Sequence, residues 1–385
     1  MINDFLAKKP LYYNEIDYTR MPRVYARIKS NFNHPTIIHI IGTNGKGTTG
    51  RFLASALRCL NYSVGHYTSP HILKFNERIW LNGVDVSDDL LNAAHQKLLT
   101  ILNQEETEAL SYFEYTTLLA MLIYKDVDYV VLEAGLGGEH DATAVFDRTL
   151  TLVTPIAKDH EAFLGESIKE IATTKLNSVQ NMAILSKQIN PEVYDVANKL
   201  AIKYEKVSHF IDKEDEKKIH EIAENLSLAP YLENNLTLAI AALKYLNIEY
   251  LSDNFGKSKL FGRLTPLNNN ILIDVGHNVL AAEAILETLK GSKQTLIYNS
   301  YRDKDYKEIL TILKPIINSV EIINISDKRI EKKEKMQETL KELDIVYNSF
   351  KAIDKKKKYL VFGSFSVVEE FLKEYHEQSF YYYHK

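Results

Sequence analysis

Gly42-Thr43-Asn44-Gly45-Lys46-Gly47-Thr48 is the densest concentration of chemistry-bearing residues in the chain. It lies between an apolar, β-branched run, Thr36 to Ile41, and a helical pattern in which Phe52, Leu53, Ala56, Leu57 and Leu60 recur. That is where a phosphate loop works. Glycines leave backbone N–H groups open to phosphate oxygens, and the positive end of the following helix faces the same oxygens. Lys46 supplies a point charge for the terminal phosphates, and the Thr48 hydroxyl can reach Mg²⁺. The spacing departs from the strict G-x-x-x-x-G-K-[ST] pattern, because two residues separate Gly42 from Gly45 and Gly47 intervenes before Thr48.

Other candidates stand at the ends of apolar runs. In Thr68-Ser69-Pro70-His71, Ser69 could bind metal or orient a phosphate, or the Ser-Pro pair could mark only a turn. Glu133 closes an apolar run and precedes Ala134-Gly135-Leu136-Gly137-Gly138; a carboxylate there is costly to bury unless paired, so a Mg²⁺ ligand is preferred over a capping carboxylate. Asp141 could hold substrate or cap its own loop. His160 alone reads as an ordinary loop histidine and Lys175 as a solvated helix lysine. Further on, Asp274-Val275-Gly276-His277-Asn278 joins a strand end to a helix start, where ribose hydroxyls or phosphates can be met. Arg263, just ahead of it, could act on a transferring phosphoryl group.

The elements that must carry these residues are continuous apolar strands alternating with helices. Runs at 36–41, 62–67, 128–132, 150–156 and 182–185 lack polar alternation, which indicates a parallel sheet covered on both faces. A helix is expected over 111–125 and another over 235–246. The stretch 250–259 has linker composition, and beyond it the same rhythm restarts at 271–275, 294–298, 320–325 and 359–362. The expected organisation is α/β, with a P-loop domain over 1–257 and a smaller Rossmann-like domain over 258–385.

Composition narrows the function class. The chain has 385 residues, 45% apolar and 25% charged, with 47 basic against 51 acidic side chains and a net charge of −4. Bulk attraction to nucleic acid is therefore not expected, and an anionic ligand must be held locally. Cys59 is the lone cysteine, which excludes an internal disulfide, and it reads as a buried thiol. The cleanest apolar run, Thr117 to Tyr124, is far short of the ~20 residues of a membrane span, and no signal peptide is visible, so a cytoplasmic protein is expected.

Taken in order, these motifs resemble the folylpolyglutamate synthase/dihydrofolate synthase family of the Mur ligase superfamily. The resemblance runs through Gly42 to Thr48; Thr68 to His71 with Asn76-Glu77-Arg78-Ile79; Glu133 to Thr143; Asp159 to Gly165; Ile171 to Lys175; Gly262-Arg263; Asp274 to Asn278; and Gly363-Ser364. It implies an ATP-dependent ligase with ATP between the P-loop domain and the smaller one. Gly42, Thr43, Asn44, Gly45, Lys46, Gly47 and Thr48 would bind its phosphates, with Asn235, Arg263, Asp274 and His277 as further ATP contacts. Ser69 and Glu133 would hold a first Mg²⁺, and His160 a second with Lys175 as a carbamate. Lys46, Lys175, His160 and Arg263 would be catalytic; Ser111, Tyr112, Phe113, Glu114, His140, Asp141 and Ala142 would meet the pterin substrate.

The implied reaction joins L-glutamate to dihydropteroate or a folate through an acyl phosphate, in a monomer without nucleic-acid or membrane partners. Three departures from the family pattern stand out: Glu139-His140 in place of Arg-Leu, Leu176-Asn177 in place of Ala-Gly, and Val275-Gly276 in place of Gly-Ala. The first puts an anion where the family has a cation, beside the expected pterin site. The rival readings are a cell-wall Mur ligase, a P-loop small-molecule kinase and a passive nucleotide switch. No Asn-Lys-x-Asp guanine signature follows a strand, which weakens the last.

Overall fold

The computed structural model describes residues 1–10, 17–33 and 35–383, the side chains of 376–383 excepted. The chain divides into two compact units, Met1–Leu228 with Leu232–Lys259, and Ala229–Tyr231 with Leu260–Lys385.

Among the described residues the first unit is built on eight strands: β1 (Thr36–Ile41), β2 (Val64–Tyr67), β3 (Ile79–Leu81), β4 (Val84–Asp85), β5 (Tyr129–Glu133), β6 (Leu150–Val153), β7 (Met182–Leu185) and β8 (Tyr204–Lys206). Their order is β4-β3-β2-β5-β1-β6-β7-β8. All neighbours are parallel except β2/β3 and β3/β4, which are antiparallel. β1 explains why apolar alternation was absent. Ile37 packs with Tyr67, Tyr115 and Leu132 on one face, and Ile38 and Ile40 pack with Phe52, Leu57 and Leu236 on the other. A strand buried on both sides needs no polar residue. From β1 the chain leaves to β2 and returns through β5 before crossing to β6, so the ends of β1, β5 and β6 mark the switch point where such sheets bind ligands.

The second unit carries β9 (Thr265–Asn268), β10 (Ile271–Ile273), β11 (Gln294–Tyr298), β12 (Ile317–Ile322), β13 (Tyr347–Ser349) and β14 (Tyr359–Phe362), in the order β13-β12-β11-β14-β10-β9. Only β9 runs antiparallel to its neighbour. Its core gathers Leu296, Leu310, Val320, Met336, Leu360 and Phe362. Among the described residues no helix is long and apolar enough to cross a membrane.

Several sequence expectations need correction. The edge strands β4, β8, β9 and β13 carry no continuous apolar run, and β9 contains Pro266, a residue confined to sheet edges. The helix expected at 235–246 begins at Pro230, a residue suited to a first helical position. The stretch with linker composition is packed: Ser252–Phe255 is a short 3₁₀ helix whose Phe255 is fully buried, 6.0 Å from the Tyr250 ring. Cys59 is exposed, not buried. It is the last residue of the helix Lys46–Cys59, beyond the stretch Phe52–Leu57 that is buried on every side.

Candidate functional site

The strand-to-helix turn after β1 is shaped by two glycines. Gly42 has φ +135°, and a Cβ there would lie 2.0 Å from Thr154 Oγ1 at the end of β6. Gly45, with φ +90°, directly precedes the helix Lys46–Cys59, and a Cβ on it would fall 2.4 Å from Asn235 Oδ1. Asn235 therefore stands against the loop where the resemblance expected an ATP contact. Thr43 anchors the loop: its N–H donates to Pro155 O (2.9 Å) and its hydroxyl to Ala157 O (3.0 Å). Gly45→Ala should lower ATP affinity by at least about tenfold in calorimetric titration, because the left-handed backbone and the Asn235 contact both exclude a side chain. Unchanged affinity would show that phosphate binding does not depend on this turn.

Lys46 curls back over the loop, with Nζ 3.1 Å from Thr43 O and 3.4 Å from Gly42 O, and stands 3.9 Å from Glu133 Oε1. Glu133, the last residue of β5, is buried. Its Oε2 accepts the Thr68 hydroxyl and, at 3.3 Å, the Ser69 N–H. Burying a carboxylate is expensive, and here a cation and two donors offset that cost. Thr68 was missed as a partner of Glu133, since only its neighbour was singled out from the sequence.

Lys175 is buried rather than solvated, and its Nζ donates to Gly42 O at 2.9 Å. Burial, reinforced by the Lys46 charge and opposed by Asp159 and Asp141, lowers its pKa to about 7. An unfolded lysine keeps its proton to the ordinary value of 10.5. Between those values the unfolded chain binds the additional proton, so native stability rises with pH across that window. The Lys175→Met variant should lose this rise. In urea melts the native chain should gain on the variant between about pH 7 and about pH 9, and parallel curves would contradict the shift.

His160 has φ +52° and heads the short helix Glu161–Leu164. Its Nε2 is 4.0 Å from Asp159 Oδ1, and Asp159 is also within electrostatic reach of Lys175. Among the described residues no three His, Cys, Asp or Glu side chains converge to hold a metal by themselves. The Thr48 hydroxyl oxygen, however, is buried without a hydrogen-bond partner. The Thr48 hydroxyl and the buried Glu133 carboxylate are both hard oxygen donors, the kind that Mg²⁺ takes together with phosphate oxygens and water.

The expected substrate residues fall into two groups. Ser111 caps the helix Tyr112–Ile123, accepting from Glu114 N (3.1 Å) while its own N–H donates to Glu114 Oε2 (2.7 Å). The Arg78 guanidinium sits 5.3 Å from the centre of the Tyr112 ring. The Phe113 ring leaves Gly135 no room, since a Cβ there would lie 2.6 Å from it. Asp141 caps its own loop, accepting from Leu136 N (2.9 Å), Thr143 N (2.9 Å) and the Thr143 hydroxyl (2.5 Å), while burial raises its pKa against those bonds. Ala142 is buried beside it. His140 is exposed, its ring 4.2 Å from that of Tyr18, and Glu139 accepts from Asn177 Nδ2 at 2.7 Å. A cleft of about 600 Å³ is lined by Tyr18, Met21, Tyr25, Glu139, His140 and Asp141. Tyr18 carried no sequence signal, as a single aromatic in a polar stretch.

In the second unit Asp274 follows β10 and is buried. It accepts from the Tyr231 hydroxyl (2.8 Å), Leu264 N (2.8 Å) and Gly276 N (2.7 Å), thereby fixing the turn that carries Arg263. Burial raises the Asp274 pKa, with the Arg263 charge opposing. Arg263 Nη1 donates to Gly262 O (3.0 Å), and its guanidinium lies 5.4 Å from the Phe365 ring centre. His277 Nδ1 is 3.1 Å from Val275 O. Tyr231 was not foreseen, because 43 positions separate it from Asp274.

No family model matches the chain. The dihydrofolate synthase/folylpolyglutamate synthase of Haemophilus influenzae is 30% identical over 391 residues, covering 88% of each chain. The crystal structure of Helicobacter pylori folylpolyglutamate synthetase superposes with a TM-score of 0.79 at 39% identity and covers 98% of both chains. The bifunctional folylpolyglutamate synthase/dihydrofolate synthase of Yersinia pestis, solved with AMPPNP and a Mn ion, has the same fold. Its TM-score is 0.79 at 22% identity, over 97% of this chain and 96% of that one.

Proposed function

The chain belongs to the folylpolyglutamate synthase/dihydrofolate synthase family, and from that premise we propose that it uses ATP to join L-glutamate to dihydropteroate, to folates, or to both. The observation that carries the reading is Lys46, held between the Gly42–Thr43 carbonyls and the buried Glu133 at the switch point of the first sheet.

The substrate carboxylate attacks the γ-phosphorus of ATP, the bond to the bridging oxygen breaks, and ADP leaves. The glutamate amine then attacks the acyl phosphate carbonyl, loses a proton, and displaces phosphate to leave an amide. Loop N–H groups and Lys46 spread the charge that develops on the transferring phosphoryl group. Thr48, Ser69 and Glu133 would hold a magnesium ion, which would supply positive charge to neutralise the phosphates. A second magnesium is assigned to His160 and Lys175. Lys175, neutral above about pH 7, is in the state that adds CO₂ to become an anionic oxygen donor.

Arg263, Asp274 and His277 are assigned to ATP on their positions in the motifs. Ser111 to Glu114 and His140 to Ala142 are assigned to the pterin acid. For Ser111, Glu114 and Asp141 the polar groups are also spent on caps and an ion pair, so their contribution is the shape of the wall. The enzyme is proposed to work as a cytoplasmic monomer.

A phosphate-release assay with ATP, Mg²⁺, glutamate and a panel of dihydropteroate, tetrahydrofolate and its diglutamate tests the reading. Release that requires both glutamate and one of the pterin acids is expected. Release indifferent to glutamate, or a phosphorylated alcohol as product, would overturn it.

A further inference from the structure

Lys9 is a buried cation that the proposed reaction does not use. Its ammonium donates to Thr107 O (2.6 Å) and Leu110 O (2.7 Å). It also stands 5.1 Å from the Phe5 ring centre and 5.5 Å from that of Tyr115. Thr107 and Leu110 close the helix Gln104–Ala109, whose last carbonyls have no partner within the helix and carry its negative end. The next residue is Ser111.

The same segment is gripped twice more from the N-terminal end of the chain. Pro10 O accepts from Tyr112 N at 3.4 Å. Arg20 meets Glu114 Oε2 through Nε and Nη2, both at 2.9 Å, and this oxygen also accepts the Ser111 N–H at 2.7 Å. Upstream, the helix Ile2–Leu6 is fastened by buried Ile2 and Leu6 and by the Ile2 N–H, which donates to Asn92 Oδ1 at 3.0 Å. A firmly seated N-terminus therefore reaches about 100 residues along the sequence to fix both ends of residues 107–114.

We propose that Lys9 and Arg20 are positioning residues for the acid substrate: they set the entry angle of Ser111–Glu114 and hence the wall that Tyr112 and Phe113 present to it. Burying a lysine for stability alone gains little, because an apolar side chain of the same length would fill the space without a desolvation cost. Two carbonyls aligned on one ammonium fix a direction, which an apolar contact does not.

The proposal rests on the assignment of Ser111–Glu114 to the pterin acid, so the test includes a variant within that segment. Lys9→Met should raise KM for the pterin acid about tenfold while KM for ATP stays within about twofold, since displacement of a substrate wall weakens only what it touches. Lys9→Arg, which keeps charge and donors, should recover most of the loss. If Lys9→Met does not fold, Lys9→Gln takes its place, retaining one donor on a shorter stem. Equal changes in both KM values, or a lower melting temperature with both KM values unchanged, would overturn the proposal. Tyr112→Ala separates the two ideas. A raised pterin KM in Tyr112→Ala with none in the Lys9 variant sinks the positioning role alone, and no change in either sinks the substrate assignment as well.

Discussion

Lys46→Met should lower the rate of ATP-dependent glutamate ligation by about 10³-fold, which is the order lost when a preorganised charge is removed from a phosphoryl transition state. Methionine keeps most of the stem, so the helix Lys46–Cys59 should still form and the melting temperature should change little. What disappears is the ammonium between the loop carbonyls and Glu133. The loss should fall on kcat more than on KM for ATP, because the loop N–H groups still bind the ground-state phosphates. Ligation within about twofold of the native rate, measured as glutamate-dependent phosphate release, would remove Lys46 from the mechanism.

Glu133→Gln is expected to be nearly as damaging, for a different reason. The amide keeps the shape and can still meet Thr68, but it removes the buried negative charge beside Lys46. With a neutral side chain, the Mg²⁺ proposed to bind Glu133 would lose its anionic protein ligand there, and Lys46 loses its counter-charge. The rate should fall by about 10²-fold, and the Mg²⁺ concentration for half-maximal activity should rise by about tenfold. That second readout separates a metal ligand from a residue that only orients Lys46. A lower rate with an unchanged Mg²⁺ requirement would assign Glu133 to orientation alone.

Local signals made much of the architecture legible. A β-branched run ending in Gly42, or an apolar run ending in Glu133, fixes strand, turn and helix start within a dozen residues, and the structure places Glu133 last in β5 and Lys46 first in its helix. What could not be read depends on partners far along the chain. Lys175 looks solvated until the Gly42 carbonyl, 133 positions away, is seen to accept its hydrogen bond. Asp274 meets Tyr231 and Asn235 crowds Gly45 only once the helix Pro230–Tyr245 is in place. The stretch before Leu260 misled for the opposite reason. Its Ser, Asp, Asn and Gly residues suit a linker, while the single Phe255 decides that it packs. Edge strands such as Tyr347–Ser349 bury too little side chain to leave an apolar pattern.

In the proposed reaction ATP activates the carboxylate of a pterin acid for attack by an amino group. Incubating the enzyme with ATP, Mg²⁺, glutamate and dihydropteroate labelled with ¹⁸O in its carboxylate, then analysing the released phosphate by mass spectrometry, tests it most directly. One ¹⁸O atom in each phosphate released is the expected result, because the carboxylate oxygen leaves with the phosphoryl group when the amide forms. Unlabelled phosphate accompanying glutamate-dependent product would contradict the acyl phosphate and the role assigned to every residue around Lys46.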